Sequence, residues 1–186
     1  MKQRLKQQQN NYAFIDAQNL YMGTANREKY SWRIDVNRFR IYLRDKYHVT
    51  KAFYFLGCVH DEFSDLYESI QSAGFILVFR EHNPNMVGTK KWNIDSDLIF
   101  SVMKKLYKKE AFDNIVLVSG DGDYKQMVDF LLEEKRLEKI LFPDWNRRSS
   151  LYNKLSNKFF TNLDDRDIRK KIERPKTAKA TKKRVP

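Results

Sequence analysis

The sequence predicts an α/β fold built on a mainly parallel sheet covered on both faces. Three observations carry that prediction. Segments that read as strands alternate with segments that read as helices. The strand segments are near-continuous apolar runs, such as FILVF at 75–79 and IVLV at 115–118, as strands buried on both faces require. The 186 residues suffice for one domain with a real core and are too few for two comfortable ones.

The elements follow in order. Residues 1–10 are polar and basic, lack the apolar core of a signal peptide, and are expected to be a disordered lead-in. Tyr12 to Asp16 (YAFID) reads as the first strand. Residues 35–47 put Val36, Phe39, Ile41 and Leu43 roughly on one side, as a helix would. The aromatic-rich KAFYFLG at 51–57 reads as a strand closed by glycine. A helix from about Glu62 to Ala73 stops at Gly74, and Phe75 to Phe79 is the next strand. Asn83, Pro84, Asn85 and Gly88 mark a loop. Residues 94–109 form a strongly periodic helix, 114–119 a strand, 124–135 a helix and 138–142 a fifth strand. Tyr152 to Leu155 reads as a short helical stretch. From about Arg169 the chain is rich in Lys, Pro, Thr and Ala and is expected to be disordered. The organisation expected is a domain over 11–167 between an N-terminal lead-in, 1–10, and a basic tail, 168–186.

The formal net charge is +12. Most of the excess sits at the ends. Ten Lys and Arg residues from Arg166 onward face only Asp167 and Glu173, and Lys2, Arg4 and Lys6 lie in the first eight residues. Basic arms of this kind bind phosphate backbones, or simply keep a tail solvated. Cys58 is the single cysteine, which excludes an internal disulfide and fits a reducing compartment. No apolar run approaches membrane-spanning length. A cytoplasmic protein without membrane contact is expected.

Several acids fall at predicted carboxyl ends of strands, where ligands bind in parallel α/β sheets. Asp16 closes the first strand, and Asp121 and Asp123 (SGDGDY, 119–124) follow the fourth. In the helix beginning near Ile94, Asp95 lies three, four and seven residues before Leu98, Ile99 and Val102, so it shares their inward stripe. Asp97 lies off that stripe beside the same end. Each acid has an ordinary explanation. Asp123 with Gln126 matches a capping box, Asp95 and Asp97 suit a helix dipole, and Asp16 suits an Asx turn. Taken together, four like charges need something positive to offset their repulsion. Neither histidine nor cysteine occurs in these motifs, and oxygen ligands alone suit Mg²⁺ or Mn²⁺ rather than zinc. A carboxylate-held divalent ion suits phosphoryl chemistry.

The motifs FIDAQNL (14–20), KWNIDSDL (91–98) and VLVSGDGDYKQMVDFL (116–131), in that order, resemble the NYN domain, the LabA-like branch of the PIN-like nuclease superfamily. The segment LYNKLSNKFFTNLDD (151–165) resembles the family's closing helix and short last strand. The likeness covers roughly residues 11–167. It implies a Rossmann-like three-layer α/β/α sandwich and a metal-dependent ribonuclease, more an endonuclease than an exonuclease. By position it implies an acidic site of Asp16, Asp95, Asp121 and Asp123, with Asp97 at a second, more variable acidic position. Asn19 matches the asparagine of the first motif, which orients Asp16 or a water, and Ser119 a small supporting hydroxyl. Two positions depart from the pattern. Trp92 stands where the middle motif usually has glycine, and Ser101 where a further aspartate is common.

On this reading one or two Mg²⁺ or Mn²⁺ ions promote in-line attack of water on an RNA phosphodiester, leaving a 5′-phosphate and a 3′-hydroxyl. Lys90, Lys91, Arg147 and Arg148 are the expected phosphate contacts. Tyr21, Trp92, Tyr124 and Trp145 are candidates for base stacking, although an aromatic residue is more often core than platform. The expected partner is RNA, single-stranded or structured, with a homodimer or an RNA-processing complex compatible with it. Two rivals remain. A non-catalytic RNA-binding or regulatory module on the same fold is motivated by Trp92 and Ser101. A phosphatase of the haloacid dehalogenase type also uses an Asp-x-Asp pair, but carries it on the first strand, where this chain has DAQN.

Overall fold

The computed structural model describes residues 9–80 and 94–175. The elements in chain order are β1 (Asn11–Asp16), α1 (Ala17–Gly23), α2 (Val36–Tyr47), β2 (Val49–Leu56), α3 (Ser64–Ser72), β3 (Ile76–Phe79), α4 (Ile94–Tyr107), β4 (Ile115–Val118), α5 (Lys125–Glu133), β5 (Leu137–Phe142), β6 (Phe160–Asn162) and α6 (Arg166–Ile172). Short 3-10 turns occupy Asp61–Phe63, Gly122–Tyr124, Ser150–Tyr152 and Asn157–Phe159. The six strands form one sheet in the order β3-β2-β1-β4-β5-β6, and every neighbouring pair is parallel.

Two apolar cores cover the sheet, because successive residues of a strand face opposite sides. Phe14, Phe55, Leu117, Ile140 and Phe142 pack on one side with Leu98 and Val102 of α4 and Val128 and Leu131 of α5. Ala13, Ile15, Val116, Val118 and Leu141 pack on the other with Leu20 of α1, Phe39 and Leu43 of α2, Ile70 of α3 and Ile172 of α6. The result is the expected three-layer sandwich. Each buried Val, Leu, Ile or Phe side chain among them contributes about 1.5–3 kcal/mol of transfer free energy.

The strand order creates the site. From β1 the chain steps outward to β2 and β3, then crosses to β4 on the other flank of β1. The helix after β1 joins one core and the helix after β4 joins the other. The carboxyl ends of β1 and β4 therefore border a crevice at the point where the order reverses.

Several expectations shift. In α2, Tyr42 is buried with Phe39 and Leu43, whereas Ile41 is exposed. β3 is an edge strand, so Ile76 stays 43% exposed rather than buried on both faces. The stretch expected to be helical at 152–155 is a 3-10 turn two to three residues earlier, at Ser150–Tyr152. Past residue 168, where the sequence places the start of the tail, α6 continues to Ile172, which is fully buried. Ile34 bridges Glu173, the Asp35 N–H donates to the Ile172 carbonyl at 2.8 Å, and the Arg169 guanidinium lies 4.9 Å over the Trp32 ring. Among the described residues, no helix is long and apolar enough to cross a membrane.

Candidate functional site

Asp16 ends β1 and caps α1. Its Oδ1 accepts the Asn19 N–H at 2.9 Å, so the residue that terminates the strand also starts the helix. The side chain is only 4% exposed. Its Oδ2 faces the Tyr124 hydroxyl at 3.1 Å and the Ser119 hydroxyl at 3.4 Å.

Asp95 comes from the first turn of α4 on the other side of the sheet. Its Oδ1 accepts the Tyr124 hydroxyl at 2.6 Å. Tyr124 is thus the meeting point of two carboxylates. It is itself completely buried, with its ring in the core beneath α4 and α5. One phenol hydrogen faces two carboxylates, and a single O–H satisfies only one of them fully.

The loop after β4 is tied down along its length. Asn19 Oδ1 accepts the Gly120 N–H at 2.9 Å, Ser119 Oγ accepts the Asp121 N–H at 3.1 Å, and Asp121 Oδ1 accepts the Asp123 N–H at 3.0 Å. The Tyr152 hydroxyl donates to the Asp121 carbonyl at 2.6 Å. Both glycines of the loop are explained by close approach of residues 148–151. A Cβ on Gly122 would lie 2.5 Å from Ser149 Oγ and 3.1 Å from Leu151 Cδ1, and one on Gly120 would lie 3.3 Å from the Arg148 Cα. The Asn19 side chain consequently serves the Gly120 loop, while its backbone N–H orients Asp16.

The capping explanation for Asp123 does not hold. Asp121 caps the 3-10 turn, and α5 starts behind Tyr124 without a side-chain cap. Asp123 is exposed beside Asp121 with no capping role.

Electrostatics bind the four acids into one group. Burial pushes the Asp16 carboxyl above its ordinary value, and the charges of Asp95 and Asp121 push it further, while bonds from Asn19 and Tyr124 act in the opposite sense. Burial likewise raises Asp95, with Asp121 and Asp123 adding to it. Tyr124 is driven upward by burial and by Asp16 and Asp95, so it stays a neutral phenol. Among the described residues, no ion pair reaches Asp16, Asp121 or Asp123. Asp97 stands apart: it is half-exposed, and its Oδ2 lies 3.9 Å from Arg80 Nε at the end of β3.

The donor set is all oxygen, partly buried, and short of positive charge, which fits a hard divalent cation. Among the described residues, however, no three Asp, Glu, His or Cys side chains stand close enough together to hold a metal ion by themselves. Mg²⁺ commonly needs only one or two carboxylates and completes its shell with water and substrate phosphate. The site fits such an ion better than a closed cage.

The expected RNA contacts divide. Arg147 is exposed and shares a small cleft with Asn19, Met22, Gly23, Gly120 and Asp144 beside the carboxylates. Arg148 is engaged: its guanidinium lies 3.8 Å over the Trp145 ring and donates to the Trp145 carbonyl and to Asn153. Trp145 is packed against Phe142 and Phe160 as well. Tyr124 is too buried to be a stacking platform, whereas Tyr21 on α1 is 57% exposed. Lys90, Lys91 and Trp92 lie outside the described residues. Ser101 is half-buried in α4.

Sequence reasoning missed three supports. The hydroxyls of Tyr124 and Tyr152 act across the fold, and the only signal was a tyrosine placed where an apolar residue would serve. The third is Arg27, which pairs with Asp144 at 3.3 Å and Asp164 at 2.9 Å and so anchors the loop that carries Arg147.

Comparison with known proteins agrees with the fold. A curated relative, the low amplitude and bright protein LabA of Synechococcus elongatus, is 23% identical over 171 residues, spanning 87% of this chain and 88% of its own. The crystal structure of a Vibrio parahaemolyticus protein of unknown function superposes with a TM-score of 0.68 at 19% identity, covering 88% of this chain and 98% of that one, and shares the fold. The family model of the NYN domain matches residues 12–166, and the chain belongs to the NYN domain family.

Proposed function

We propose that this crevice hydrolyses RNA phosphodiester bonds with the help of Mg²⁺ or Mn²⁺. The observation that carries the reading is the convergence of Asp16 and Asp95 on one buried phenol, with Asp121 and Asp123 within electrostatic reach and no ion pair to Asp16, Asp121 or Asp123 among the described residues. Asp16, Asp95, Asp121 and Asp123 would hold the ion or ions, and Asp97, turned toward Arg80, is the outlying acid. When bound, such an ion activates water and neutralises charge developing on the phosphate.

The chain's own groups do the positioning. Asn19 and Ser119 fix Asp16 and the loop after β4, and Tyr152 fixes the Asp121 backbone. Asp123, open to solvent, is suited to take a proton from the attacking water. Arg147 is suited to a phosphate oxygen next to the cleaved bond, and Tyr21 to a neighbouring base. Lys90, Lys91, Arg148, Trp92 and the basic tail extend the contact. The products would be a 5′-phosphate and a 3′-hydroxyl. A cytoplasmic setting, action within the RNA chain, and a partner subunit or processing complex belong to the same proposal.

A second reading is an RNA-binding module that does not cut. It is favoured by the absence, among the described residues, of three acids gathered closely enough for a metal, and by Trp92 in the middle motif and Ser101 one helical turn beyond it. Incubating purified protein with end-labelled single-stranded RNA in Mn²⁺, Mg²⁺ or EDTA separates the two. Cutting that EDTA abolishes supports the nuclease, and RNA retention without cutting in any metal supports the binder.

A further inference from the structure

We infer that Tyr124 is a positioning residue, whose hydroxyl sets the separation of Asp16 and Asp95 and thereby the site's affinity for a divalent cation. The inference rests on the metal-dependent reading above and adds a residue that neither the acidic motifs nor the family likeness assigned.

The argument starts from rigidity. The Tyr124 side chain is fully buried and packed among Leu98, Met127 and Val128 and their neighbours in one core. Its hydroxyl therefore cannot wander. Asp16 is fixed from the first turn of α1 by the Asn19 N–H. Asp95 sits in the first turn of α4, with its carboxylate only partly buried. Without a donor between them, two like charges repel each other and tend to separate. The 2.6 Å bond from Tyr124 holds Asp95 against that repulsion.

The hydroxyl does not block the cation. A carboxylate offers about four lone-pair sites. The single Tyr124 proton occupies one lone pair, on the nearer Asp95 Oδ1, and Asn19 and Ser119 use two on Asp16. Lone pairs remain for an ion at a separation already set. Partners that orient metal ligands typically change affinity or activity about 10- to 100-fold when removed.

Tyr124→Phe keeps the ring and removes only the hydroxyl. Mn²⁺ binding is measured by calorimetry and by the loss of the free-ion electron paramagnetic signal, for wild type, Tyr124→Phe, Asp95→Asn and the double variant. The expected result is a dissociation constant raised about tenfold or more in Tyr124→Phe. The double variant should be no weaker than Asp95→Asn, since the phenol acts through that carboxylate. With RNA, kcat should fall while KM stays put. A merely structural tyrosine would shift the melting temperature of the metal-free protein and leave these quantities alone. If wild type binds Mn²⁺ and Tyr124→Phe binds it within about twofold as well, the inference fails and the metal reading stands. If wild type takes up no Mn²⁺ with or without RNA, the metal reading fails and carries the inference down with it.

Discussion

The side chain of Asn19 accepts the backbone N–H of Gly120 at 2.9 Å, joining the helix after the first strand to the loop after the fourth. Two segments about a hundred residues apart are stitched at the point where their carboxylates must meet. The asparagine of the first motif is thereby explained by the position of the third.

Removing that stitch has a defined cost. Asn19→Ala leaves the buried Gly120 N–H unpaired, which should destabilise the protein by about 1–3 kcal/mol. Urea denaturation measures the loss. Metal-dependent cleavage should fall further than stability alone explains, because the loop bearing Asp121 is released.

The raised carboxyl of Asp16 gives a pH signature. Burial, then the charge of Asp95, make the folded state hold this proton more tightly than the unfolded state, whose value is near 3.8. Stability is therefore lost as pH rises from that value through the raised one, and the loss persists above it. Asp16→Asn lacks this loss. Its melting temperature minus that of the metal-free wild type should grow with pH across the window and then level off. Mn²⁺ should narrow the gap by stabilising only the wild type. A gap that shrinks with rising pH would show that Asp16 is not the strained group.

Two glycines offer a controlled comparison. A Cβ at Gly122 would meet Ser149 Oγ at 2.5 Å, whereas one at Gly57 meets nothing within 4 Å. Gly122→Ala should cost about 1–3 kcal/mol through overpacking and impair the site. Gly57→Ala should be close to neutral in thermal melting and in cleavage.

How much of this was legible follows from what is local. The strand β4 was readable because double-sided burial writes it as a continuous apolar run, and β1, β2 and β5 because their later residues are mostly apolar. The acids at their ends were readable because strand ends are. α1 was not, since AQNLYMG is short and begins on the very residue that ends β1. α6 reads as tail because it is mostly charged, and buried Ile172, Arg169 over Trp32 and the backbone contacts of 172–173 with 34–35 reveal what holds it. The capping box at Asp123 failed because a 3-10 turn intervenes and Asp121 takes the capping role. The part of Tyr124 lay beyond sequence reading, because its two partners come from β1 and α4 and meet only in the folded chain.

The most direct test of the central claim compares wild type with Asp121→Asn on labelled single-stranded RNA, recording binding and cleavage together in Mn²⁺, Mg²⁺ and EDTA. The substitution keeps the shape of the side chain that caps the 3-10 turn and removes its charge. The account predicts metal-dependent cutting by the wild type, a loss of orders of magnitude in the variant, and RNA binding and melting temperature retained in both. Equal cutting by the two proteins, or cutting by the wild type that EDTA leaves unchanged, would contradict it.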